Sequence, residues 1–106
     1  MNTQPARGIY LIVDFDWPNP VAKETAQKAA HLHKVLQNQT WIQEVIAASG
    51  GLGGEHGSLW IFRLESYAAL DRLFHDRSDE ISQAYMGFFS EMPRVHDKIR
   101  EEVIFL

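Results

Sequence analysis

Four side chains in this sequence have the chemistry for proton transfer: His33, Tyr85, Glu44 and Asp14. An imidazole titrates near neutral pH and can serve as a general acid or base. A tyrosine hydroxyl can orient or protonate a substrate carbonyl. A carboxylate on a buried face gains a raised pKa that suits proton abstraction. We therefore take these four as candidate catalytic residues.

Each candidate also has a structural interpretation. His33 is then a core histidine hydrogen-bonded to a neighbour, and Tyr85 is a core aromatic residue with its hydroxyl at the edge. The alternation of a strand places Glu44 on the same face as Ile42 and Ile46. There its carboxylate would form an ion pair across a subunit interface, with Arg63 as the obvious cation. The sequence leaves both interpretations open.

A first helix must position His33. Asn19 suits an N-cap and Pro20 suits the first helical position, so the helix is predicted from Pro20 to about Gln37. At one hundred degrees per residue, one face collects Ala22, Thr25, Ala26, Ala29, His33 and Leu36. The small side chains on this face allow close approach to a sheet or leave room for a ligand.

Three apolar runs are predicted as strands. Gly8–Trp17 alternates two faces, and Trp41–Ala48 and Leu59–Leu64 are rich in β-branched and aromatic residues. The glycine-rich connector Ser49–Gly57 predicts a protruding hairpin loop that carries His56. A phosphate-loop interpretation is disfavoured because no Lys-Ser/Thr pair follows the glycines.

Further helices must position Tyr85. Ser66 is predicted to cap a second helix, the segment His75–Asp79 interrupts it, and Ser78 or Asp79 caps a third. The apolar face of that third helix comprises Ile81, Ala84, Tyr85, Phe88 and Met92. Tyr85 therefore faces the core.

The end of the chain completes the topology. Arg94–Glu101 is predicted as a short helical turn and Glu102–Leu106 as the last strand. The order β-α-β-β-α-β predicts a ferredoxin-like α+β domain, with helices on one face of a four-stranded antiparallel sheet. The other face carries Tyr10 and Ile12, and a second copy of the chain is expected to cover it as a homodimer.

Composition narrows the function classes. The 106 residues predict a single domain spanning residues 1–106. A net charge of −4 disfavours nucleic acid or a membrane as partner. The lack of cysteine excludes thiolate chemistry and fits a cytoplasmic protein. His31 and His33 point to opposite sides of a helix and cannot chelate one ion together, so we expect no metal site.

Two segments carry a family resemblance. Leu36-Gln37 followed by Thr40-Trp41 is similar to the helix end and second-strand start of muconolactone isomerase, and Ser58–Leu73 resembles its strand–Ser–helix segment. The chain therefore resembles the dimeric α/β-barrel superfamily, which includes muconolactone isomerase-like proteins, cofactor-free antibiotic-biosynthesis monooxygenases and NIPSNAP-like proteins. The match covers roughly Asp14 to Phe74. Beyond it this chain has an extra helix and a longer connection.

The resemblance and the candidate residues together predict a small cofactor-free enzyme of the isomerase or monooxygenase type. It would act by proton transfer on an aromatic, quinone-like or lactone molecule. His33, Tyr85 and one carboxylate, Glu44 or Asp14, would converge on a pocket between the helices and the sheet. The alternative is a non-catalytic small-molecule-binding or stress-response dimer, which predicts a filled core.

Overall fold

The computed structural model describes residues 7–52 and 57–105. In chain order the elements are β1 (Ile9–Phe15), α1 (Lys23–Gln37), β2 (Ile42–Ser49), β3 (Ser58–Leu64), α2 (Tyr67–His75), α3 (Glu80–Phe89) and β4 (His96–Glu101). The predicted order is confirmed, with α2 and α3 together as the second helical unit. His56 lies outside the described residues.

One antiparallel sheet carries all the strands in the order β2-β3-β1-β4. Along the central strands β1 and β3, every second residue is buried toward the helices because side chains alternate across a strand. These buried residues are Ile9, Leu11, Val13, Phe15, Ser58, Trp60, Phe62 and Leu64. The intervening residues are half-buried and form the open face of the sheet.

The core is unusually rich in aromatic rings. Phe15 and Trp60 from the sheet meet Phe88 and Phe89 from α3, with ring centroids 5.3 to 6.4 Å apart. Most of these contacts are edge-to-face, the arrangement that ring quadrupoles favour. Trp17 closes the cluster at the end of β1, where its indole nitrogen donates to Ser58 Oγ at 2.7 Å.

Side-chain caps fix the two later helices as predicted. Ser66 Oγ accepts from the Ala69 amide at 3.2 Å, and Asp79 Oδ1 accepts from the Ile81 amide at 2.8 Å. Each cap satisfies one of the free amides at a helix start. Between the helices, buried Ser82 donates to the Leu73 carbonyl at 2.7 Å and ties α3 to the end of α2.

The predicted start of α1 was wrong. The helix begins at Lys23, and the residue before it, Ala22, is extended with a ψ of 149° and has no side chain that can cap. Residues 18–22 instead form the connection between the anchored Trp17 and the helix.

The predicted last strand was also wrong. β4 is formed by the polar segment His96–Glu101, and residues 102–105 are in no strand. β4 pairs with β1 along its whole length while its own residues remain exposed. An edge strand draws on backbone pairing and is commonly charged, so apolar content does not identify it. Within the described ranges no helix is long and apolar enough to cross a membrane.

Candidate functional site

A cleft of about 440 Å³ opens between the end of α2, α3 and the start of β4. This volume lies in the range that binds small molecules. Its lining, called here the α2–α3–β4 cleft, consists of Phe74, His75, Arg77, Tyr85, Met86, Phe89, Ser90, Val95 and Asp97. The walls are therefore mainly aromatic and apolar, with a few polar groups that can orient a ligand.

Tyr85 forms the buried floor of the cleft, with 3% of its surface exposed. Its ring lies 5.7 Å from that of Phe74, 5.8 Å from Phe62 and 4.8 Å from Phe89, measured between centroids. Burial, together with the nearby charge of Asp97, raises the pKa of the Tyr85 hydroxyl. The hydroxyl therefore stays protonated at neutral pH and can donate a hydrogen bond.

Asp97 supplies the carboxylate of the cleft. It pairs with Val13 in the sheet register, so its side chain is on the helix side of β4. Partial desolvation raises the pKa of Asp97, although His96 acts to lower it. Among the described residues no hydrogen bond joins Asp97 to Tyr85, so a hydroxyl donor and a carboxylate acceptor line one cavity without satisfying each other.

Two basic side chains stand at the exposed mouth of the cleft. His75, at the end of α2, is held by Asp71, with 2.9 Å between Nδ1 and Oδ1. Arg77 lies in the turn between α2 and α3 and is exposed. In the part of the chain that the structure describes, its guanidinium forms no ion pair.

His33 lies on the inner side of α1, as its helical spacing predicts, and is half-buried. Its ring meets Trp60 edge-on at 5.9 Å between centroids. The residues that line the α2–α3–β4 cleft do not include it. The structure therefore places His33 and Tyr85 on the same side of the sheet but not in one cavity.

Asp14 lies on the open face of the sheet, away from the helices. It pairs in register with Leu59 on β3 and His96 on β4, between the buried positions Val13 and Phe15. Lys98 Nζ approaches its carboxylate at 3.7 Å. Asp14 is therefore separated from Tyr85 by the thickness of the sheet.

Glu44 is on the open face too, and the expectation that it shares a face with Ile42 was wrong. A bulge between Ile42 and Glu44 puts Gln43 out of the alternation, so Ile42 is buried while Glu44 pairs with Arg63 and is exposed. A bulge inserts one extra residue, so the later residues of the strand point to the opposite face from the one that strict alternation predicts. Glu44 and Ile46 still share a face, as expected.

Arg63 on the open face does form an ion pair, but with Glu102. The two carboxylate oxygens accept from Nη1 and Nη2 at 2.9 Å each, and the Tyr10 hydroxyl and Gln43 complete the guanidinium's partners. These bonds, with one from the Gly8 amide, lower the pKa of Glu102 to about 2. A Cβ on Gly8 would lie 2.8 Å from Arg63 Cζ, so a larger residue there would require the guanidinium to shift.

Sequence reasoning missed Asp97 because it assigned residues 94–101 to a helical turn. The segment His96–Glu101 gave little side-chain signal, because Ile99 is its single apolar residue and all six residues are exposed. An edge strand of this kind is held by backbone pairing, which local sequence does not reveal. Arg77 was missed because it lies in the predicted helix break.

No family model matches the chain, and no curated protein matches it. Solved structures do. A hydroxynitrile lyase from Passiflora edulis superposes with a TM-score of 0.74 at 14% identity, covering 96% of this chain and 99% of that one. A DABB family protein with a ferredoxin-like fold from Mesorhizobium loti gives 0.69 at 12%, covering 92% and 98%.

A dimeric ferredoxin-like protein of unknown function from Thermobifida fusca gives a TM-score of 0.65 at 13% identity, covering 98% of this chain and 97% of that one. The fold is ferredoxin-like. At these identities the likeness establishes the ferredoxin-like fold alone, and several of these neighbours are described as dimeric. The predicted fold class is confirmed.

Proposed function

We propose that this protein is a small enzyme that catalyses proton transfer on a cyclic or aromatic small molecule bound in the α2–α3–β4 cleft. The observation that carries the proposal is the shared lining of that cleft by Tyr85 and Asp97. A ligand carbonyl or lactone oxygen accepts a hydrogen bond from the Tyr85 hydroxyl. Asp97 removes a proton from the adjacent carbon, and Tyr85 stabilises the oxyanion that develops.

The raised pKa values support these roles. A higher pKa makes the Asp97 carboxylate a stronger base than an aspartate of ordinary pKa. The raised pKa of Tyr85 keeps its proton in place as donor. Proton return to another carbon of the ligand then completes an isomerisation, with no redox partner required.

Catalytic roles for His33, Asp14 and Glu44 stay predictions. Their positions outside the cleft lining favour Tyr85 as the one member of the four candidates that acts there. His33→Ala, Asp14→Asn and Glu44→Gln, assayed beside the cleft variants, test them directly.

We further propose that the open face of the sheet pairs with a second copy of the chain. Its exposed or half-buried apolar residues are Ile12, Ile46, Leu59 and Ile61. An apolar patch of this kind rimmed by charge is typical of an interaction surface. A two-fold axis lets the same patch cover itself.

A non-catalytic binding module is the second candidate. It is favoured by the aromatic filling of the space under α1, where Trp60 stacks on Phe88 at 5.5 Å and His33 packs on Trp60. That filling leaves the α2–α3–β4 cleft as the place where the two candidates differ. A binding module would hold a ligand there without turnover.

Hydrogen exchange between ligand and solvent tests catalysis. The protein is incubated in D2O with cyclic ketones and lactones that carry an acidic C–H bond, and NMR follows loss of that proton signal. We expect exchange with wild type and a loss of about a hundredfold or more in Tyr85→Phe and Asp97→Asn. Tyr67→Phe, at an exposed tyrosine outside the cleft lining, is the matched control. Binding without exchange identifies the binding module, and equal rates in Tyr85→Phe and Tyr67→Phe contradict the proposed site.

A further inference from the structure

The α2–α3–β4 cleft has a basic and an acidic side chain in its lining, Arg77 and Asp97. Arg77 and Asp97 both border it, yet no ion pair links them in the described residues, and Arg77 has no other acidic partner there. An exposed guanidinium at the mouth of an apolar cleft is an anion-recognition group, because its planar fork matches a carboxylate with two parallel hydrogen bonds.

The aromatic walls of the cleft indicate the chemistry of the rest of the ligand. Phe74, Tyr85 and Phe89 line the same cleft as Arg77 and Asp97, and Met86 adds an adaptable apolar surface. A flat ring fits such walls by stacking or edge contact. The volume of about 440 Å³ accommodates a ligand of one or two rings.

We propose that the cleft binds a one-ring aromatic or cyclic monocarboxylate, with its carboxylate on Arg77 and an oxygen substituent of the ring toward Tyr85 and Asp97. The inference rests on the proposed function, since it names the ligand class of the same cleft. Arg77 here is a specificity residue: it anchors the end of the ligand away from the reacting atoms. Asp97 also lines the cleft, so its negative charge disfavours a pose that places the ligand carboxylate beside it.

Calorimetric titration with a matched pair of probes tests the ligand class. The pair is 4-hydroxybenzoate and 4-hydroxybenzamide, which share a ring and hydroxyl but differ in charge. We expect wild type to bind the carboxylate several-fold to about tenfold more tightly, a modest factor because Arg77 is exposed. Arg77→Gln removes the difference, Arg77→Lys restores part of it, and Lys34→Gln, which deletes a charge from α1, keeps it.

The outcomes separate this inference from the proposed function. Equal affinity of the two probes for wild type, or a preference that survives in Arg77→Gln, overturns the carboxylate assignment while a binding cleft remains. Failure of both probes, and of a wider set of one-ring acids, amides and lactones, to bind at all overturns the inference and the proposed function together.

Discussion

At the scale of single residues, the two buried hydroxyl-bearing residues of α3, Ser82 and Tyr85, have different surroundings. Ser82 has its hydroxyl satisfied by the Leu73 carbonyl, whereas Tyr85 lines the α2–α3–β4 cleft and has no such bond among the described residues. A satisfied buried group stabilises the fold, and a buried group that borders open space is available to a ligand. The two positions on α3 therefore predict different mutational effects.

Ser82→Ala is expected to lower the free energy of unfolding by about 1–2 kcal/mol, because it leaves the buried Leu73 carbonyl without its side-chain donor. Urea denaturation followed by tryptophan fluorescence measures the change. Ser90→Ala is the matched control at an exposed site and should change stability by less than about 0.5 kcal/mol. Similar losses in the two variants would show that the Ser82 bond does not join α2 to α3.

The interactions of Glu102 predict that the free energy of unfolding falls in acid. Hydrogen bonds from Arg63 and the Gly8 amide lower its pKa from 4.5 to about 2 in the folded chain. The ionised form therefore contributes fully above the unfolded-state pKa, and this contribution disappears as the pH falls from 4.5 toward 2. Urea midpoints across this range should fall less steeply for Glu102→Gln than for wild type. Glu65→Gln, at an exposed site, should keep the wild-type slope, and a parallel slope for Glu102→Gln would contradict the assignment.

At the scale of elements, the start of α3 shows how one side chain serves both local and tertiary structure. Asp79 caps the helix through the Ile81 amide and also pairs with Arg72 of α2. Partial burial acts to raise the pKa of Asp79, but Arg72 and the Ile81 amide outweigh it, so the pKa is lowered. Because α3 carries Tyr85, this cap helps to fix the floor of the cleft.

Asp79→Ala should reduce stability by about 1–2 kcal/mol, since it removes the cap and the Arg72 pair together. Asp79→Asn keeps a capping oxygen and loses only the charge, so it should recover more than half of that loss. Thermal unfolding monitored by circular dichroism measures both. An asparagine variant as unstable as the alanine variant would assign the stabilisation to the ion pair rather than to the cap.

The elements also show what the sequence could predict. Strong periodicity revealed β1 and the hairpin strands, and cap residues at Ser66 and Asp79 marked the later helices. On α1 it was right for Thr25 and Leu36, but Ala22 and Ala26 are exposed and Leu32 is buried instead. β4 was missed because an edge strand depends on backbone bonds to β1 rather than on apolar side chains. The bulge before Glu44 was missed because no local residue pattern indicates it. Both errors affected candidate site residues. Missing β4 left Asp97 out of the candidates, and missing the bulge assigned Glu44 to the wrong face of the sheet.

At the scale of the whole molecule, the two faces of the sheet differ in what lies on them. The helix side holds the aromatic core and the cleft, and the open side holds apolar residues beside the Arg63–Glu102 pair. We expect the chain to sediment as a dimer through that open side. Ile61, which pairs with Ile12 and Ile46 across the sheet, lies at its centre.

Ile61→Lys should convert the dimer into a monomer in light scattering, because a charge at the centre of a two-fold interface meets its own copy. Val21→Lys, which changes an exposed apolar residue before α1, should remain dimeric. A dimer that persists in Ile61→Lys would show that the interface is not on the open face of the sheet.

Both proposals for the helix side depend on the α2–α3–β4 cleft being the ligand site, and amide NMR can locate that site. The best-binding member of a panel of aromatic acids, quinones and lactones is titrated into labelled protein. We expect the shifted amides to cluster on residues 85–90 and 95–97, and we expect Ser90→Trp, which fills the cleft mouth, to abolish the shifts while Ser78→Trp does not. Shifts confined to β2 or the open face, or an unchanged titration of Ser90→Trp, would contradict the assignment of the cleft.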